Sequence, residues 1–124
     1  PWKTADKVRQ VLSELYSAKP DGLSGNEDVG QMSAWYIMSS LGFYQSEPAG
    51  GRYWLGTPTV DKAQIQVKGG TFTINVLNNS QENKYIQKVS VNGKPLDKGY
   101  ITHDIVAAGG EMTIEMGSDP VLWY

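Results

Sequence analysis

The hydrophobic period of this chain changes once, near residue 45, and that change restricts the fold more than any other feature. Before it, apolar residues recur at helical spacing: Val8, Val11, Leu12, Leu15 and Tyr16 fall at i, i+3, i+4, i+7 and i+8. With Thr4 as a cap and Asp6 in the first turn, this stripe predicts an amphipathic helix that stops by Lys19-Pro20. A second helix is predicted from about Asp28 to Leu41, with Gly42 as its left-handed stop. Met32, Ala34, Trp35, Tyr36, Ile37, Met38 and Leu41 make that helix apolar almost all round, so it needs cover on several sides. Two helices cannot supply such cover; the sheet region or further chain must.

After the change the period is two. Ile65 and Val67 alternate with Gln64, Gln66 and Lys68, Gly69-Gly70 offers a two-residue turn, and Phe72, Ile74 and Val76 alternate on the return. That is a hairpin signal. A polar loop over Asn78–Asn83 leads to Ile86, Val89 and Val91 and to an Asn92-Gly93 turn. Gly109-Gly110 opens a further strand with Met112, Ile114 and Met116 on one face. Helices first and short strands afterwards give an α+β chain, with two N-terminal helices followed by an antiparallel β-sandwich-like region. The division falls at residues 1–44 and 45–124.

Charge and cysteine content narrow the function classes. Eleven Lys and Arg against thirteen Asp and Glu leave a net charge of −2, with no basic excess to attract nucleic acid or an anionic membrane. No apolar run approaches the roughly 18 residues of a membrane span. The absence of cysteine removes disulfides, thiolate nucleophiles and Cys-based zinc sites together. A single histidine, His103, leaves little room for a Ser-His-Asp triad or a multi-histidine metal site, and is read as a structural side chain at a strand end or loop. The chain opens on Pro1 with no signal-like segment after it, and is expected to be processed or cut from a longer protein.

Polar chemistry is densest in the loop at residues 20–31, between the helices. Asp21, Glu27 and Asp28 stand there among Gly22, Gly25 and Gly30, which let backbone approach a ligand closely. Asn26, Glu27 and Asp28 fall where free amides and the helix dipole favour an ionised carboxylate, which suits a base or a cation ligand better than a general acid. An ordinary helix cap with first-turn acids would give the same pattern. Trp35 and Tyr36 are read as core, and Trp54 and Trp123 as core or interface.

The longer string decides between these readings. Pro1-Trp2-Lys3-Thr4, then Gly22-Leu-Ser-Gly-Asn-Glu-Asp-Val-Gly-Gln-Met-Ser-Ala-Trp-Tyr36 and Leu41-Gly-Phe-Tyr44, resembles the C-terminal part of the α-mannosidases of glycoside hydrolase family 92. Pro48-Ala-Gly-Gly-Arg-Tyr53, Gly56-Thr-Pro58 and Met116-Gly-Ser-Asp-Pro-Val-Leu-Trp-Tyr124 extend the likeness over nearly the full length. The resemblance implies an N-terminal β-sandwich and an (α/α)6 toroid in the whole enzyme, with these residues as the last toroid helices and a terminal β-region. It also implies calcium dependence and exo-cleavage of α-linked mannose, α-1,2-mannosides foremost, with inversion. Inversion needs an acid on the leaving oxygen and a base on water, their carboxyls roughly 6.5–9.5 Å apart.

Carried onto this sequence, the family motif makes Asp28 the general base. Family members carry a second aspartate two residues earlier, where Asn26 stands here, which leaves Asp28, with Glu27, to hold the water. Asn26 and Gln31 are the expected sugar contacts, with support of calcium as the alternative for Gln31. The general acid and the mannose-binding sandwich lie outside the chain, so the isolated chain is expected to be inactive. No metal ligand is assigned. The ion takes six to eight oxygens from several segments, so calcium should bind this chain weakly or not at all. Expected partners are a mannose-containing glycan and the N-terminal portion of the parent, with a homodimer of the fragment through the uncovered helix. The family places the parent in the periplasm or among secreted proteins. The competing reading is a non-catalytic β-sandwich module that binds glycan or packs on a catalytic partner.

Overall fold

The computed structural model describes residues 1–124 and contains three helices and eight strands. Helix α1 runs from Trp2 to Glu14 with Pro1 as its cap residue, three residues ahead of the expected Thr4 cap. The Pro1 carbonyl accepts from the Ala5 amide at 3.0 Å, so Thr4 lies inside the first turn and does not cap it. The helix also ends well before Lys19-Pro20, because the chain folds into a tight return. Ser17 donates to the Gly22 carbonyl, Gly22 donates to the Lys19 carbonyl, and Tyr16 pairs with Leu23. Only glycine fits at position 22, where a Cβ would stand 2.0 Å from the Ser17 oxygen.

Helix α2 spans Gln31–Leu41, preceded by a single 3-10 turn at Asp28–Gly30. Gly42 stops it in the left-handed region at φ 89°, as the sequence indicated. Of its residues only Ser39 and Ser40 are buried, while Tyr36 is 39% and Ile37 57% exposed. Residues 1–124 therefore do not supply the all-round cover that its apolar sequence requires. Trp35 is half-buried, and Tyr36 is not the core residue expected from its helix.

The strands form two sheets. Strands β1 (Phe43–Tyr44), β2 (Arg52–Leu55) and β7 (Tyr100–Thr102) make an antiparallel three-stranded sheet in the order β1-β2-β7. The larger sheet contains β3 (Lys62–Val67), β4 (Gly70–Leu77), β5 (Tyr85–Val91), β6 (Lys94–Pro95) and β8 (Gly110–Gly117), ordered β3-β4-β8-β5-β6. It is mixed, not wholly antiparallel. Strand β8 returns through the short helix α3 (His103–Ala107) and inserts between β4 and β5, running parallel to β4 from Phe72↔Gly110 to Leu77↔Glu115.

Turn chemistry fixes the registers. The β3–β4 turn falls on Lys68-Gly69, one residue before the expected pair, and Gly70 faces Val67. Asn92-Gly93 turns as read, with φ of 49° and 78°, the doubly left-handed geometry of a type I′ turn. The period-two residues Phe72, Ile74, Val76, Met112, Ile114 and Met116 are all buried and meet Ile86 and Val89 from β5. Phe43, Ile101 and Val106 from the other layer join the same core.

Polar contacts dock α1 on the β-region. The Arg9 guanidinium donates to the Pro58 carbonyl at 2.8 Å, the Ser80 carbonyl at 2.9 Å and Asn79 Oδ1 at 2.7 Å. Beside it, Lys84 pairs with Asp6 at 2.7 Å, and the Tyr85 hydroxyl donates to the same carboxylate at 3.0 Å.

Candidate functional site

The acidic loop is surface throughout: Asp21, Asn26, Glu27, Asp28 and Gln31 are all exposed. Helix α2 organises it through Glu27. One carboxylate oxygen accepts from the Met32 amide at 3.0 Å; the other accepts from the Ser33 amide at 3.1 Å and the Ser33 hydroxyl at 2.6 Å. The Ser33 hydroxyl first, then desolvation opposing it, then the two amides set the balance, which holds the Glu27 carboxyl below the usual carboxylate range.

Asp28 is placed differently. Its carbonyl accepts from the Gln31 amide, closing the 3-10 turn. Its side chain has no hydrogen bond or ion pair within the chain. Val29 follows at φ 57° and ψ 28° and Gly30 at φ 75°, two successive left-handed residues. Glycine adopts this region freely. For β-branched Val29, which is fully exposed, it is disfavoured by about 1–3 kcal/mol. The sequence reading passed over Val29, and its only signal was a β-branched residue wedged between two acids and a glycine.

An aromatic wall stands beside this turn. Tyr16 stacks on Trp35 with ring centroids 5.6 Å apart and tilts against Tyr36 at 5.0 Å. Burial, and secondarily the charge of Glu27, push the Tyr16 hydroxyl above its ordinary range. The return at Ser17–Gly22 and the exposed face of α2 enclose a groove of about 330 Å³, lined by Tyr16, Ala18, Leu23, Ser33, Tyr36 and Ile37.

The remaining candidates lie apart. His103 opens α3, and its Nδ1 lies 3.0 Å from the Tyr53 hydroxyl, with no acidic or histidine cluster around it. Trp54 is 38% exposed against Tyr100, and with Trp123 it lines a separate cavity of about 190 Å³ beneath the start of α1. Nowhere in the chain do three histidine, aspartate or glutamate side chains gather closely enough to hold a metal ion. With Glu27 committed to amides and a hydroxyl, the loop's oxygens do not compose the six- to eight-fold shell that calcium takes. No helix is long and apolar enough to cross a membrane.

A carboxylate without a partner on a strained turn, beside one whose oxygens are taken up by Ser33 and the first amides of α2, is able to accept a proton from water. Residues 1–118 match the model of the glycosyl hydrolase family 92 catalytic domain, and the chain belongs to that family. It is similar to a family GH92 alpha-mannosidase of Bacteroides thetaiotaomicron, at 36% identity and a TM-score of 0.89 over 97% of this chain and 16% of that one. A structure of the same enzyme in complex with mannoimidazole superposes with a TM-score of 0.91 at 35% identity, covering 98% of this chain and 16% of that one. A family GH92 inverting mannosidase of B. thetaiotaomicron VPI-5482 is 37% identical, with a TM-score of 0.88, over 97% of this chain and 16% of its own. A protein of Arthroderma benhamiae named an uncharacterized secreted glycosidase is 25% identical over 127 residues, 99% of this chain and 16% of its own length. The chain thus spans about one-sixth of the proteins it matches.

Proposed function

We propose that residues 1–124 are the C-terminal part of an exo-acting, inverting, calcium-dependent α-mannosidase specific for α-1,2-mannosides, and that loop 20–31 carries its general base. Residues 1–44 end the catalytic helical region and residues 45–124 form the terminal β-region against which α1 is held. The observation that carries the reading is the contrast between neighbouring acids: Glu27 is saturated by α2, whereas Asp28 has no partner and faces solvent.

In this reading Asp28 takes a proton from water as the water oxygen bonds to the anomeric carbon. The glycosidic C–O bond breaks on the opposite face, and the leaving oxygen receives its proton from an acid outside this chain. Asn26 and Gln31, both exposed beside Asp28, contact the sugar. When bound, calcium would supply positive charge near the scissile bond, held by residues elsewhere in the parent, since none converge here. The isolated chain is accordingly inactive and binds calcium weakly at most. The parent is exported, in keeping with the name of the A. benhamiae relative.

Hydrolysis of an α-1,2-linked mannobiose by the parent and by the isolated chain, with and without a chelator, tests this. Expected are mannose release by the parent alone, loss on chelation, and a further loss of about 10²–10⁴ in kcat for Asp28→Asn. Intact turnover with weakened sugar affinity in that variant would instead make the chain a glycan-binding module.

A further inference from the structure

Resting on Asp28 as the base, we infer that Glu27 and Ser33 form a clasp that aims Asp28, and that both are positioning residues that touch neither the attacking water nor the sugar. Glu27 lies outside α2, beyond the helix's cap residue Gly30, yet its carboxylate reaches back to the Met32 and Ser33 amides. For that reach, Asp28, Val29 and Gly30 must fold beneath it. They do so through the two left-handed residues, one of which is a valine that disfavours the conformation.

The clasp offsets that unfavourable geometry. Both oxygens of Glu27 are engaged, and the Ser33 hydroxyl proton is committed at 2.6 Å, the shortest contact in the loop. The Glu27 oxygens are taken up by the amides and the hydroxyl, and Ser33 has no hydroxyl proton left to donate to water or sugar. Asp28, in contrast, has no side-chain contact to fix its direction. Its aim comes from the backbone of the turn, and the turn is closed by the Gln31 amide on the Asp28 carbonyl and by the clasp. Ser33 also lines the groove beside Tyr16, so packing of the aromatic wall and closure of the turn meet at one side chain.

The test is steady-state kinetics of the parent on α-1,2-mannobiose with Ser33→Ala, Ser33→Thr, Glu27→Gln and Asp28→Asn, each with its thermal midpoint. Ser33→Ala keeps both backbone donors, so the helix start survives. Expected is a fall in kcat of about ten- to hundredfold, as displacement of a reacting group on the ångström scale produces. KM should stay within about twofold, any fall in the midpoint should be small and out of proportion to the loss of kcat, Ser33→Thr should restore kcat, and Glu27→Gln should reproduce the loss. An inactive Asp28→Asn beside a fully active Ser33→Ala overturns the clasp and leaves the base standing. A rise in KM with kcat intact puts Ser33 on the substrate, and a loss that follows the thermal midpoint makes it structural; either overturns the inference. A fully active Asp28→Asn removes the base and the clasp together.

Discussion

Replacing Arg9 by methionine should lower the stability of the isolated chain by about 2 kcal/mol, the balance of two opposed effects. Arg9 makes three hydrogen bonds to the β-region, to Pro58, Asn79 and Ser80, at 2.7–2.9 Å. Bonds from a charged donor contribute about 1.5–3 kcal/mol each when sheltered, and partial exposure reduces these to about 1 kcal/mol each, or about 3 in total. Against them stands desolvation, which lowers the guanidinium's hold on its proton, and a buried Nε with no partner. Together these cost about 1 kcal/mol. Methionine preserves the aliphatic packing, so the difference isolates the polar clasp. With an unfolding entropy of about 2.1 cal/mol/K per residue, 2 kcal/mol in a chain of 124 residues is a fall of about 8 °C in Tm. Differential scanning calorimetry measures it. Asn79→Ala removes one of the three bonds, about 1 kcal/mol, while the desolvation of Arg9 remains, and should shift Tm by about half as much. An unchanged or raised Tm in Arg9→Met would mean that desolvation outweighs the bonds, and that α1 is docked by Ala5 and Leu12 instead.

Stability should also fall in acid. The Lys84 hydrogen bond lowers the Asp6 pKa from 3.8 and Ser33 lowers that of Glu27 from 4.5, so both groups stabilise the fold above these unfolded-chain values. The contribution is lost as pH falls through the lower folded values; thermal melts from pH 6 to 2 should show the decline, with a smaller slope in Glu27→Gln. Phe72→Ala removes a side chain with no exposed surface from the centre of the β4–β8 core, at a cost of about 3–5 kcal/mol in urea titration. Uncovered Tyr36 and Ile37 should make the isolated chain self-associate, and Ile37→Lys should return it to monomer by light scattering. A compact monomer of the unsubstituted chain would contradict that.

Much of the fold is written locally. The alternation through Phe72, Ile74 and Val76 marks a strand with one buried face, and Asn92-Gly93 marks the β5–β6 turn, because both depend on neighbours two to four residues away. The position of β8 does not. Met112, Ile114 and Met116 announce a strand, but insertion between β4 and β5 depends on the path through β7 and α3, which no local pattern carries. The exposure of Tyr36 is hidden for a related reason, since an apolar helix reads the same whether or not its neighbours are present. In the acidic loop, the sequence identifies the residues without separating their roles. Glu27 and Asp28 are adjacent carboxylates, and only the left-handed turn at Val29 and Gly30 sends one to the helix amides and leaves the other free.

Asp28→Ala in the parent enzyme, assayed on α-1,2-mannobiose with and without azide, tests the role of this loop most directly. Azide is already a nucleophile and needs no base, so it can occupy the vacated place and bond to the anomeric carbon as the glycosidic bond breaks. Expected is loss of hydrolysis by about 10²–10⁴, with azide restoring consumption of substrate and yielding β-mannosyl azide by NMR. Hydrolysis at the unsubstituted rate, or a loss that azide does not relieve, would contradict Asp28 as the base.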